Sequence, residues 1–116
     1  MAKHIKTNGE EIEVKPADEA KGFSLDELTG YAGGSIDMPV MPSGAVMVVN
    51  DNGKLEGLPK NEKATEVWKK EYPIDKYPHN NDELIVGDVL VLSPEEYALM
   101  NEEEIGEKEF EPKKVL

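Results

Sequence analysis

The sequence predicts a small α+β fold: a mixed, mainly antiparallel sheet with two Asn-Gly hairpins and two to three helices. Three observations carry that expectation. Two strand-like stretches are each followed by Asn-Gly, the pair that tolerates the positive φ of a type I′ hairpin turn. Ala64, Val67, Trp68 and Tyr72 recur at i, i+3, i+4 and i+8, the spacing of one helix face. Residues 84–92 form the most apolar segment, β-branched and continuous, as a strand buried on both faces reads.

In chain order, residues 3–15 read as the first hairpin, turning at Asn8-Gly9. A two-residue loop there sets Ile5 opposite Ile12, Lys6 opposite Glu11 and His4 opposite Glu13, giving one apolar face and one charged face. Residues 16–22 are polar and connect. Residues 23–29 open a short helix, with Ser24 and Glu27 as a capping box and Phe23 and Leu28 as its hydrophobic staple. Gly30 offers a left-handed stop, and Gly33-Gly34 turns the chain into a strand at 35–41. Pro39 and Pro42 lack amide donors, so that strand should end early or lie at a sheet edge. Residues 45–51 form a second strand, which Asn52-Gly53 returns antiparallel through 54–58 with Asp51 opposite Lys54.

Asn61 caps the next helix. Its polar face carries Glu62, Lys63, Glu66, Lys69 and Lys70, with Glu66 and Lys70 a favourable i,i+4 pair. Trp68 is expected in the core, and Pro73 ends the helix. Residues 72–82 form a loop rich in proline, asparagine and aromatic side chains. Gly87-Asp88 interrupts the apolar segment, as a bulge would. Ser93, Pro94 and Glu96 start a last helix as N-cap, first-turn proline and capping-box glutamate, with Leu92 and Tyr97 as staple and Gly106 as stop. The expected organisation is one α+β domain over 3–92, a C-terminal helix over 93–106 packed on it or extending from it, and a charged flexible tail over 107–116.

The 116 residues suit one domain. Thirteen basic residues against 25 acidic ones leave a net charge of −12, which repels bare nucleic acid and anionic membrane and favours basic protein surfaces. Solubility alone also accounts for such a charge. The absence of cysteine removes disulfides, thiolate metal sites and cysteine nucleophiles. The N-terminus has no apolar signal-peptide core, and no apolar run nears the roughly 20 residues of a membrane helix. A cytoplasmic location is the expectation.

No constellation of catalytic, cofactor-binding or metal-ligating residues stands out. His4 and His79 are the available imidazoles; His79, near Asp75 and Asp82, reads as an exposed loop residue. Asp51-Asn52-Gly53 lacks the upstream carboxylates of a calcium loop. The glycine-rich stretch 30–35 follows a helix, whereas a phosphate cradle precedes one. Ser24 and Ser93 are both explained as caps.

The order of short motifs is more informative. L-x-x-L at 25–28 precedes Gly33-Gly34 and an Ile36-led strand; Gly53-Lys54-Leu55, Leu58-Pro59-x-Asn61 with Ala64-Thr65, and Asp82 with Ile85-Val86-Gly87 follow. Over about residues 5–92 this order resembles a family of small uncharacterised proteins encoded by phages, plasmids and conjugative elements. Ser35, Ile36 and Asp37 depart from that family's usual bulky residue and glutamate. The resemblance implies an accessory protein of a mobile element and no particular reaction. For Gly33, Gly34, Pro59, Asn61, Ala64, Thr65 and Gly87, backbone-shaping roles are expected.

The leading functional expectation is a non-catalytic domain, without cofactor, that binds a protein partner with a basic surface. The alternative is an acidic mimic of DNA that blocks a host defence or DNA-processing protein. A third reading is a small-molecule or nucleotide-binding domain, or an enzyme, using Tyr72, Tyr77, His79, Asn80 and Asn81.

Overall fold

The computed structural model describes residues 2–100, and five strands in that span form one sheet. They are β1 (Ala2–Ile5), β2 (Glu11–Val14), β3 (Ile36–Asp37), β4 (Val46–Asn50) and β5 (Val89–Leu92). The spatial order is β2-β1-β5-β4-β3, and each pairing is antiparallel, so the parallel component of the expected mixed sheet is not found among the described strands. Three helices, α1 (Leu25–Ala32), α2 (Glu62–Glu71) and α3 (Pro94–Ala98), and a 3-10 turn at Asn80–Asp82 complete the α+β fold.

Strand alternation divides the interior into two cores, one on each face of the sheet. On one face Ala2, Val46, Val48, Leu90 and Leu92 meet Leu28 and Ala32 of α1, together with Phe23, Met38 and Met100. On the other, Ile5, Met47 and Val89 meet Ala64 and Trp68 of α2, with Met41 and Ile85. The central strand β5 serves both, which is why its sequence is apolar at successive positions. Trp68 is buried, and its indole N–H donates to the Asn80 carbonyl at 2.8 Å.

Both capping boxes form: Ser24 with Glu27 at α1, and Ser93 with Glu96 at α3. As the prolines require, β3 is short and lies at an edge.

Four local expectations are corrected. First, β1 and β2 are out of the expected register by one residue: His4 faces Ile12 and Ile5 faces Glu11. The Gly9 amide donates to the Lys6 carbonyl at 3.0 Å and the Lys6 amide to the Glu10 carbonyl at 2.8 Å, closing a three-residue loop. Gly9 alone takes the left-handed conformation, φ 96°, as a type I turn plus bulge requires. One extra loop residue shifts every partner by one. Glu11 therefore stands on the α2 side, where it reaches Lys63 at 3.1 Å and Lys3 at 4.0 Å.

Second, Asn52-Gly53 is not a hairpin. Residues 51–57 coil into successive turns, with the Glu56 amide donating to Asn52 at 2.9 Å and the Leu58 amide to Gly53 at 3.0 Å. Strand β4 already has β5 on one side and β3 on the other, so residues 54–58 find no free edge. Third, α1 runs through Gly30 and ends at Gly33, φ 80°. Fourth, only Val89–Leu92 of the apolar run joins the sheet. At Gly87, φ 77°, the chain breaks away, and residues 85–87 pair with 59–61 through the Asn61 amide to the Ile85 carbonyl and the Gly87 amide to the Pro59 carbonyl, each 2.8 Å. The expected stop at Gly106 and tail over 107–116 lie outside the described residues.

Candidate functional site

The surface feature with most recognition character lies beside the β3 edge. Helix α2 covers the middle of its sheet face; toward β3 that face is left open, with Val49, Asn50, Ile85 and Val86 in the walls of a cleft of about 230 Å³. Leu55 and Leu84 line it and are 89% and 41% exposed. Asp37, Asp51 and Glu83 line it as well, and Lys54, its one lysine, is paired with Glu83.

Local sequence explains this geometry. The 51–57 turn sits tightly on the 85–87 segment: a Cβ on Gly53 would lie 2.9 Å from a Val86 methyl and 3.3 Å from the Asn50 carbonyl. The Asn50 side chain holds the turn's start, accepting from the Asn52 amide at 2.9 Å and donating to the Ala32 carbonyl at 3.3 Å. Leu55 is thus displayed from a hydrogen-bonded turn. Leucine in a turn is the available sequence signal for this site, but its neighbours across the cleft come from residues 30 positions away and could not be read from the sequence.

Lys54, Leu55, Ile85 and Val86 of the motif order line this cleft, whereas the seven positions expected to shape the backbone do not. Of those, Asn61, Ala64, Thr65 and Gly87 are buried and Gly33 and Pro59 are exposed. Asn61 is fully buried. Its side-chain oxygen accepts from the Ala64 amide at 3.0 Å, and its amide group donates to the carbonyls of Ile5 and Gly87, each at 2.9 Å. The Thr65 hydroxyl donates to the Asn61 carbonyl at 2.8 Å and accepts from the Ile85 amide at 3.1 Å. One asparagine therefore joins α2, β1 and the bend before β5. Ala64 is buried against the sheet. Gly87 accepts no side chain, since a Cβ would lie 2.8 Å from Leu58 Cδ1. Gly34 lies against Asn50, whose side-chain nitrogen would be 3.1 Å from an added Cβ. Gly33, Pro59 and Gly87 share a second cleft of about 290 Å³ with Tyr31, Leu58 and Asp88, where the Asp88 carboxylate accepts from the Thr7 amide at 2.9 Å.

His79 is exposed, and no three metal-ligating side chains gather among the described residues. His4 lies edge-on to Tyr31 with ring centres 4.8 Å apart, and its Nε2 is 3.2 Å from the Tyr31 carbonyl. In the 72–82 loop, Tyr72, Tyr77 and Asn81 pack locally, while His79 and Asn80 are exposed. Tyr72 packs on Trp68 at 4.7 Å and on Tyr77 at 5.1 Å, and the Asn81 amide donates to the Tyr72 carbonyl at 2.8 Å. None of these loop residues lines either cleft.

Two titrating groups are displaced, each by local structure. Burial pushes the Tyr72 phenol up, reinforced by Glu71 and Tyr77. Burial would raise the Glu27 carboxyl as well, but hydrogen bonds from the Ser24 and Ala17 amides and the Ser24 hydroxyl hold it below its ordinary value. Neither faces a cleft described above.

No curated protein and no solved structure matches the chain. A family model described as a domain of unknown function, DUF3846, matches residues 4–109, beyond the stretch 5–92 that carries the motif resemblance. That match spans most of the 116 residues, and the chain belongs to the DUF3846 family.

Proposed function

We propose that this protein is a non-catalytic interaction domain that works by binding a protein with a basic surface. One observation carries the reading: Asn61 and Thr65, the polar side chains of the L-P-x-N-x-x-A-T motif, are consumed inside the fold. Asn61 spends its oxygen and its amide group on backbone, and Thr65 does the same with its hydroxyl. The surface carries more carboxylates than lysines and several exposed apolar side chains, and the net charge of −12 steers a positive partner.

The resemblance in motif order supports placing the protein in the cytoplasm as an accessory of a mobile genetic element. No observation specifically favours mimicry of DNA. Acidic residues are carried by β2, all three helices and the loops between them, a spread that serves solubility and steering. The local packing of Tyr72, Tyr77 and Asn81 likewise lends no support to a nucleotide or small-molecule site in the 72–82 loop.

The test is in-cell cross-linking of the tagged, full-length protein in its host, with mass spectrometry of the adducts. The expected result is a specific partner cross-linked through a lysine- or arginine-rich surface. Recovery of no specific partner, or turnover of a small molecule by the purified protein, overturns the reading.

A further inference from the structure

We infer that the cleft between the 51–57 turn and residues 83–86 is a docking groove for a linear protein segment, one that places an aliphatic side chain between lysines or arginines. The inference deepens the interaction reading above and rests on it. Four features carry it.

The first is apolar exposure. Leu55 is 89% exposed and Leu84 41%, and both line one cleft whose walls include buried Ile85. Exposed leucines gathered in a concavity mark recognition more than scattered ones do. The second is charge. Among the residues that line the cleft, three are carboxylates, Asp37, Asp51 and Glu83, and one is a lysine, Lys54, so the lining carries more negative than positive charge. Cationic flanks on the entering segment meet carboxylates while its aliphatic residue meets the leucines.

The third is size. At about 230 Å³ the cleft falls below the roughly 300–1,000 Å³ of sites that enclose small ligands, but it can take a side chain or two of a chain lying across it. The fourth is preorganisation. Gly53 is packed against Val86, the Leu58 amide is bonded to the Gly53 carbonyl, and Lys54 ties the turn to Glu83. The turn that carries Leu55 is fixed before anything binds, which lowers the ordering cost of association.

The experiment pans a phage-displayed library of random linear peptides against the immobilised full-length protein. A synthetic peptide from the enriched pool is then measured by fluorescence anisotropy. The enriched sequences are expected to share an aliphatic residue flanked by lysine or arginine. Binding should weaken tenfold or more in Leu55→Ser/Leu84→Ser and in Asp51→Asn/Glu83→Gln. It should be unchanged in Ile74→Ser, which alters a 65% exposed apolar residue outside the cleft. Circular dichroism melts check that each variant is folded, and if either double variant is unfolded, single Leu55→Ser and Asp51→Asn replace the pairs.

Absence of enrichment, a neutral or acidic consensus, or binding that survives both cleft variants overturns the groove. The cross-linked host partner separates this from failure of the broader reading. If that partner is still captured by Leu55→Ser/Leu84→Ser, the groove is wrong and the interaction role stands. If the wild-type protein captures no partner, the interaction role itself fails.

Discussion

Asn61 shows how much a single side chain can hold. It caps α2 and bonds to the carbonyls of Ile5 and Gly87 without touching solvent. Asn61→Ala removes all three bonds and strands two buried carbonyls; the loss should be about 3 kcal/mol in urea unfolding, combining a lost cap with unsatisfied acceptors. Asn61→Asp keeps the capping oxygen but loses both donors and buries a charge, so it should be at least as destabilising. Gly87 is constrained twice, by φ 77° and by Leu58 at 2.8 Å from any added Cβ. Gly87→Ala should cost about 1–3 kcal/mol, and adding Leu58→Ala should not rescue it, because the backbone strain persists when the steric contact is gone. The cap at Asn61 could be read from the sequence. Its bonds to Ile5 and Gly87 could not, because they join residues 56 and 26 positions away.

Helix starts were the most legible elements, because a capping box is written within four residues and satisfied within them. Turns were less so. Asn-Gly occurs twice and forms a two-residue hairpin neither time: once a bulged loop intervenes, and once the neighbouring edges are already occupied. Local sequence encodes a turn's permitted φ, while the register depends on what the rest of the sheet leaves available. At α1, Glu27 gives the cap a pH signature. Its folded carboxyl titrates below the ordinary value, so its contribution to stability is present above that value and disappears as pH falls through the lowered one. Glu27→Gln should therefore melt below wild type at neutral pH, by the few degrees expected of a weakened cap. The gap should narrow as pH falls past the ordinary carboxylate range, as thermal melts by circular dichroism would show. A gap independent of pH would assign the loss to packing.

At the scale of the whole molecule, the two cores share the strands of one sheet, and residues near both ends of the described span enter it: Ala2 and Met100 lie in the same cluster. Neither core can be lost without removing support from the other. Trp68 fluorescence, reporting the α2 side, and far-ultraviolet circular dichroism, reporting the whole backbone, should give coincident urea transitions. An early fluorescence transition would mean that the α2 layer detaches first. The α+β class with a mainly antiparallel sheet could be read from the sequence; the wholly antiparallel pairing and the strand order could not, since nothing local says that a strand near residue 90 lies between strands near residues 4 and 48. The cleft beside β3 was hidden for the same reason.

That placement of β5 sets the timing of assembly. Its two neighbours are made much earlier, and β1 has β2 and β4 has β3 on one side, yet the other side of each stays unpaired until residues 89–92 have left the ribosome. During synthesis the nascent polypeptide carries two open ladders of amide and carbonyl groups, the one on β4 among valine and methionine side chains, which invite pairing with other chains. The strong negative charge of the unfinished product keeps such strangers apart. The same negative charge that attracts a cationic associate thus also repels other acidic copies during the protein's own birth.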